Sequence, residues 1–267
     1  MSLGIGIIGA GGRMGRMLIE VVHRQPGVHV AAATDRTGGE AVGRDAGELA
    51  GQGSLGVPIG DDIPAAVAAS DAVIDFSLPE ATETVAAACA EAGRPLVLGT
   101  TGLGETQREA VHRLAEQVAV MHAANYSTGV TLLTALVEQA ARAIGVYSDI
   151  EIIEAHHRHK VDAPSGTALR LGEAVADALG RDLSQCAVYG REGHTGERDP
   201  QTIGFETIRA GDIVGDHTVL FGGDGERVEL THKASSRTTF ASGAVRAAAW
   251  VVEQPPGLYD MRDMIGV

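Results

Sequence analysis

Short apolar runs alternate with longer stretches of helical period through the first half of the chain. Residues 5–8 form an apolar run closed by Gly9, and 28–33, 72–76, 95–98 and 118–122 read as further short strands. Runs of this kind, without strict alternation, indicate strands buried on both faces. Helical patterns fall between them: from a glycine-rich turn to about residue 23, then 62–70, 79–92 and 105–117. Pro79 suits the first turn of its helix. Residues 38–60 are rich in glycine and read as a loop. The repeated strand–helix alternation predicts a parallel sheet with helices on both faces.

After Asn125 the pattern changes. A long helix is expected over 128–144, a β-rich run over 149–155 and a helix over 164–179. Three strands follow, at 203–209, 213–221 and 227–233, and an Ala-rich helix covers 239–253. The middle region therefore reads as α+β with a mostly antiparallel sheet, and the last helix as a return to the first domain. The expected fold is α/β: a Rossmann-like dinucleotide-binding domain of residues 1–127 and 237–267, interrupted by an α+β domain of residues 128–236.

Composition narrows the class. The chain has 267 residues, 44% hydrophobic and 21% charged, which is enough for one or two cores. With aromatics at only 3%, aliphatic side chains must fill them. A formal net charge of -14 argues against a nucleic-acid partner. No basic segment precedes an apolar one near the start, and no apolar run approaches eighteen residues, so a cytoplasmic protein without a membrane partner is expected. Cys89 and Cys186, the only cysteines, lack metal-ligand spacing and read as reduced thiols.

Gly9-Ala10-Gly11-Gly12-Arg13-Met14-Gly15 joins the first strand to the first helix. In a dinucleotide turn the first glycine permits the tight bend, the second lets pyrophosphate approach the backbone, and the third lets helix and strand pack closely. Asp35 ends the second strand, where an acid meets a ribose hydroxyl. Arg36 and Arg13 are either partners for a 2'-phosphate or solvated surface charges, so NADH and NADPH both remain open. Gly99-Thr100-Thr101 and Ala123-Ala124-Asn125-Tyr126 also follow strand ends, at the carboxyl edge where such sheets bind ligands.

A second cluster runs against the global charge. His156, His157, Arg158, His159 and Lys160 are consecutive, and Asp162-Ala163-Pro164-Ser165-Gly166-Thr167 then opens a helix. The imidazoles could be ordinary strand residues and the cations a solvated turn. A metal site is disfavoured because Arg and Lys repel a cation. Cationic side chains beside a helix N-terminus also suit a small carboxylate, with Lys160 and His as proton donors.

The run 154–169 resembles the signature of the 4-hydroxy-tetrahydrodipicolinate (dihydrodipicolinate) reductases. The resemblance extends to Gly9–Gly15, Asp75-Phe76-Ser77, 99–102, 125–130, 191–197, 210–214 and 232–237, and so spans nearly the whole chain in order. It implies NADH- or NADPH-dependent reduction of a cyclic imine dicarboxylate in diaminopimelate and lysine biosynthesis. It also implies a homotetramer held through the inserted, substrate-binding domain. By the same resemblance His156 is the acid/base, Lys160 the proton donor, His157 a substrate contact, and Gly166 and Thr167 the carboxylate-binding pair. Cofactor positions fall on Gly9, Ala10, Gly11, Gly12, Arg13, Met14, Asp35, Arg36, Gly99, Thr100, Thr101, Ala123, Ala124, Asn125, Tyr126 and Arg237. Several relatives carry Glu where Asp35 stands, which leaves the cofactor preference open. Another two-domain nicotinamide dehydrogenase would share the glycine turn but need not prefer a cyclic dicarboxylate, and a non-catalytic dinucleotide sensor would keep that turn but leave residues 160–167 without a task.

Overall fold

A computed structural model describes residues 2–267. The chain divides into two compact units, one running to Ser127 and taking up Thr238–Gly266, the other Thr128–Arg237.

In the first unit β1 (Leu3–Ile8), α1 (Arg13–Arg24), β2 (Val28–Thr34), α2 (Ala46–Leu49), β3 (Ile59–Gly60) and α3 (Ile63–Ala68) are followed by β4 (Ala72–Asp75), α4 (Pro79–Ala92), β5 (Leu96–Leu98), α5 (Glu105–Ala115) and β6 (Ala119–His122). After the second unit the chain contributes α9 (Thr238–Val251), β12 (Gly257–Tyr259) and α10 (Met261–Ile265). The sheet order is β12-β6-β5-β4-β1-β2-β3, and every pairing is parallel. This is the doubly wound arrangement, with the order reversing between β1 and β4, where the carboxyl ends of the strands open a crevice.

The strands are short and apolar because helices cover both faces. Ile5, Ile7, Leu18, Ile19, Val245 and Val251 share one core. On the opposite face Val85, Cys89, Leu96, Leu98, Val111 and Leu114 share another. α9 approaches so closely that a Cβ at Gly243 would overlap the carbonyl of Tyr126. α4 begins with Pro79 and stops at Gly93, whose φ of +63° favours glycine.

The segment 38–60, expected to be a plain loop, holds α2 and β3. Asp45 organises it: its carboxylate accepts from the amides of Glu48 (3.1 Å), Leu55 (3.0 Å) and Val57 (3.1 Å) and from Ser54 Oγ (3.2 Å). The bond from Leu55 leads in holding this carboxyl at about 2, against the opposing effect of desolvation. One carboxylate with several donors orders a stretch that its glycines would otherwise loosen.

The second unit contains α6 (Thr128–Ile144), β7 (Asp149–His156), α7 (Gly166–Leu179), α8 (Leu183–Cys186), β8 (Ala187–Tyr189), β9 (Ile203–Arg209), β10 (Gly215–Gly223) and β11 (Glu226–Ala234). Its sheet has the order β11-β10-β7-β9-β8. β10 is antiparallel to β7 and β11, but β9 is parallel to β7 and β8, so the sheet is mixed rather than mostly antiparallel. The reason is connectivity. β10 and β11 form a hairpin across Asp224-Gly225, whereas α7 and α8 intervene between β7 and the next strands and permit parallel pairing. Leu133 and Val137 of α6 and Leu171 and Val175 of α7 pack with Ile152, Phe205 and Phe221.

α6 and the 3-10 turn that continues it form a 20-residue stretch, Thr128–Tyr147, with a mean hydropathy of 1.2 in its most apolar part, where the sequence reading expected no such run. Its buried residues Val130, Leu133, Val137 and Ala141 follow a helical stripe, and Glu138 pairs with Arg142 at 3.7 Å. That one-sided burial is the pattern of a helix packed on a core by one face.

Candidate active site

Two sets of groups carry the chemistry, one in each unit. In the first, Gly9 takes φ +80° directly after β1, and the amides of Gly9 and Ala10 both donate to the carbonyl of Thr34, at 2.9 and 2.8 Å. A Cβ at Gly15 would overlap the carbonyl of Gly9, so α1 lies tight against the turn. Gly12 is the N-cap of α1 and supplies no side-chain cap. The first amides of a helix have no partner within it and face whatever anion approaches. Asp35 accepts from Gly11 N (2.5 Å) through one oxygen and from Arg36 N (2.7 Å) through the other. The acid is thereby fixed at the end of β2 beside the glycine turn. Arg13 and Arg36 are exposed. This backbone fits a dinucleotide: a bend only glycine tolerates readily, a close helix–strand contact, and an uncapped helix end.

Gly99 and the turn after β5 lie against Phe76, whose ring a Cβ at Gly99 would strike. Thr100 is buried and Thr101 exposed. The Tyr126 side chain is a core element: its hydroxyl lies within hydrogen-bonding distance of the carbonyls of Leu98 (2.9 Å) and Met121 (3.0 Å), and its ring packs on Phe76 at 5.4 Å. Ala123 and Asn125 are half-buried and Ala124 exposed. Asp75 closes β4 at the switch point, fully buried, and accepts from Ser77 N at 2.8 Å. Desolvation pushes its carboxyl up against the hydrogen bonds from Ser77 and Thr100.

In the second unit the cationic run leaves the end of β7. Glu154 and His156 lie two residues apart on the same side of that strand, as the period of two requires. Glu154 is only 1% exposed. It accepts from His156 Nδ1 (2.5 Å), from Ser165 N (3.0 Å), and from Arg209 Nη1 and Nη2 (both 2.8 Å). Burial opposes ionisation, but the bonds from Arg209 and His156 prevail and hold the carboxyl below its ordinary range. Ser165 caps α7, accepting from Ala168 N at 3.2 Å, and its hydroxyl is hydrogen-bonded to Nε2 of His217 at 3.0 Å.

Beyond His156 the chain turns outward. Arg158 and His159 are exposed. Lys160 Nζ donates to Asp162 at 2.8 Å, a bond that leads in lowering the Asp162 carboxyl. Arg237 Nη2 donates to Nε2 of His157 at 2.8 Å. A guanidinium cannot accept, so this imidazole is neutral with its proton on Nδ1. Desolvation first, then the charge of Arg237, favours that neutral form. Gly166 opens α7 at the surface, where a Cβ would meet nothing within 4 Å. Among the described residues, no group of three or more His, Cys, Asp or Glu is arranged for a metal ion.

Family models for the dihydrodipicolinate reductase N-terminus and C-terminus match residues 3–126 and 129–265. The chain belongs to the dihydrodipicolinate reductase family. A curated 4-hydroxy-tetrahydrodipicolinate reductase from Alkalilimnicola ehrlichii is 64% identical over the whole of both chains. One from Magnetococcus marinus is 55% identical, covering 100% of this chain and 99% of its own. A dipicolinate-bound dihydrodipicolinate reductase from Paenisporosarcina sp. TG-14 shares the fold with a TM-score of 0.76 at 24% identity, covering 99% of this chain and 100% of that one.

In this dihydrodipicolinate reductase family member, His156, Lys160 and the start of α7 stand out in the sequence, whereas Glu154, Arg209 and His217 gain a task only in the structure. Glu154 had a local signal, since it shares a strand face with His156. Arg209 and His217 had none: they reach Glu154 and Ser165 across 55 and 52 residues of sequence.

Proposed function

We propose that the chain reduces 4-hydroxy-tetrahydrodipicolinate, through its dehydrated cyclic imine, to tetrahydrodipicolinate with NADH or NADPH, in diaminopimelate and lysine biosynthesis. The observation that carries this reading is the buried Glu154–His156–Ser165 cluster beside Lys160, in a chain alignable end to end with a reductase of that name.

The first unit is the dinucleotide-binding domain and the second the substrate domain. Residues Gly9 to Met14 cradle the pyrophosphate, Asp35 the ribose and Arg36 a 2'-phosphate when present. The turns at Gly99–Thr101 and Ala123–Tyr126 border the nicotinamide, with Tyr126 contributing backbone because its ring is buried. A bound NADH or NADPH supplies the hydride.

The chain's own residues hold the diacid and deliver the proton. The first turn of α7 at Gly166 and Thr167 receives a carboxylate, and His157, held by Arg237, is a further substrate contact. Hydride addition to the conjugated carbon of the ring leaves an enamine, and the neighbouring carbon then takes a proton. Lys160, 21% exposed and paired with the carboxylate of Asp162, is the donor. His156 stabilises developing charge or relays the proton.

Four copies assemble through the second unit's sheet, and the enzyme works in the cytoplasm; sedimentation velocity tests the tetramer. The activity test is NADH and NADPH oxidation with freshly generated substrate, with pyridine-2,6-dicarboxylate as inhibitor. Oxidation of one or both, suppressed by the diacid, is expected. Oxidation of neither overturns the assignment.

A further inference from the structure

We infer that Glu154 is a positioning residue that locks the His156 imidazole in its Nδ1–H form and ties that ring to the first turn of α7. The inference deepens the reading above and rests on it for the role of His156.

The donors around this carboxylate decide the tautomer. An ionised carboxylate only accepts, and it has about four lone-pair sites. At Glu154 Oε1 takes Ser165 N and Arg209 Nη2, while Oε2 takes His156 Nδ1 and Arg209 Nη1. The amide and the guanidinium are obligate donors. The remaining partner, His156 Nδ1, must therefore carry a proton. In the neutral ring the lone pair is then on Nε2, which is the nitrogen left for chemistry.

Nε2 faces Gly215, where a Cβ would stand 3.0 Å away, so glycine keeps its approach open. The same carboxylate holds the amide of Ser165, the residue that caps α7. Imidazole and helix start thus share one anchor, and a ligand seated on Gly166 and Thr167 is registered against Nε2. Arg209 neutralises the buried charge and is itself fixed by the carbonyls of Ile208 and Asp162.

The test is long-range proton–nitrogen NMR of the imidazoles of the whole protein, with His156 assigned by the signal lost in His156→Gln. Where the His156 ring is neutral, the expected wild-type signature is a protonated Nδ1 and an unprotonated Nε2. A wild-type ring protonated at Nε2 alone overturns the proposal with no variant needed. In Glu154→Gln the ring is expected to populate the Nε2–H form. Turnover should fall on the order of 10- to 100-fold, within the range of one proton-transfer group, while cofactor affinity holds. Glu154→Asp, which retains the charge, should recover part of the loss. An unchanged tautomer in Glu154→Gln, or wild-type turnover despite a changed one, counts against the lock. If the wild type shows the Nδ1–H form but oxidises neither cofactor, the functional assignment fails and the tautomer lock stands.

Discussion

The imidazole of His217 meets that of His156 edge to face, with ring centroids 5.1 Å apart and planes at 73°. His217 is 4% exposed and sits opposite Glu154 in the β10–β7 ladder. Burial, and then the nearby His156, lower its titration from 6.5 to about 4; Glu154 pulls the other way, and His232 and Lys160 add to the fall.

This makes stability pH-dependent with a definite sign. As pH falls below 6.5 the unfolded chain binds a proton that the folded chain refuses until about 4. The contribution is therefore complete above 6.5 and lost on the way down to 4, amounting to about 3 kcal/mol. Urea unfolding at pH 7 and pH 4.5 should show a smaller drop in His217→Gln than in the wild type. Equal drops in both proteins would remove His217 as the source.

Asp75 has the opposite sign. Its folded carboxyl is raised by burial, so its contribution is greatest at low pH and is lost as pH rises through the folded value. Asp75→Asn keeps an acceptor for the Ser77 amide and removes the buried charge. It should stabilise the protein by about 1–2 kcal/mol at pH 7.5 and by less at pH 5. A variant that loses stability relative to wild type as pH rises would contradict this.

A methyl group at Gly15 has no room against Gly9 and Ala10. Gly15→Ala should lose about 1–3 kcal/mol of stability, the usual cost of overpacking. It should also weaken NADH and NADPH alike, because the turn itself must move. Fluorescence titration beside thermal unfolding checks both; wild-type values in each would show that α1 yields freely.

Lys160→Ala should lower kcat by about 100-fold and leave cofactor Kd within about twofold, because its Nζ is held by Asp162 within the second unit, whereas the glycine turn belongs to the first. Parallel losses of turnover and nucleotide binding would argue against a proton-donor role.

Arg36 stands exposed beside Asp35. Arg36→Ala should weaken NADPH by about tenfold, the scale of one charge-assisted contact, and NADH much less. An unchanged NADPH-to-NADH ratio would take Arg36 out of the phosphate site.

Much of the first unit was legible because its strands are buried on both faces and written as continuous apolar runs, as in 72–74 and 96–98. The edge strands β3, β8 and β12 were not, since they are as short as 96–98 but only partly buried. The order within 38–60 was hidden because it hangs on the single carboxylate of Asp45 rather than on any repeat.

The sequence by itself determined the glycine turn, the alternating units and the placing of His156, Lys160 and Ser165 within ten residues, since each depends on neighbours along the chain. Only tertiary structure decided that the second sheet is mixed, that Tyr126 belongs to a core, and that Arg209 and His217 complete the surroundings of Glu154 and Ser165. Those facts arise from strand pairing and burial between distant segments. A buried charge selects its partners by distance in space, and a linear pattern holds no record of that distance.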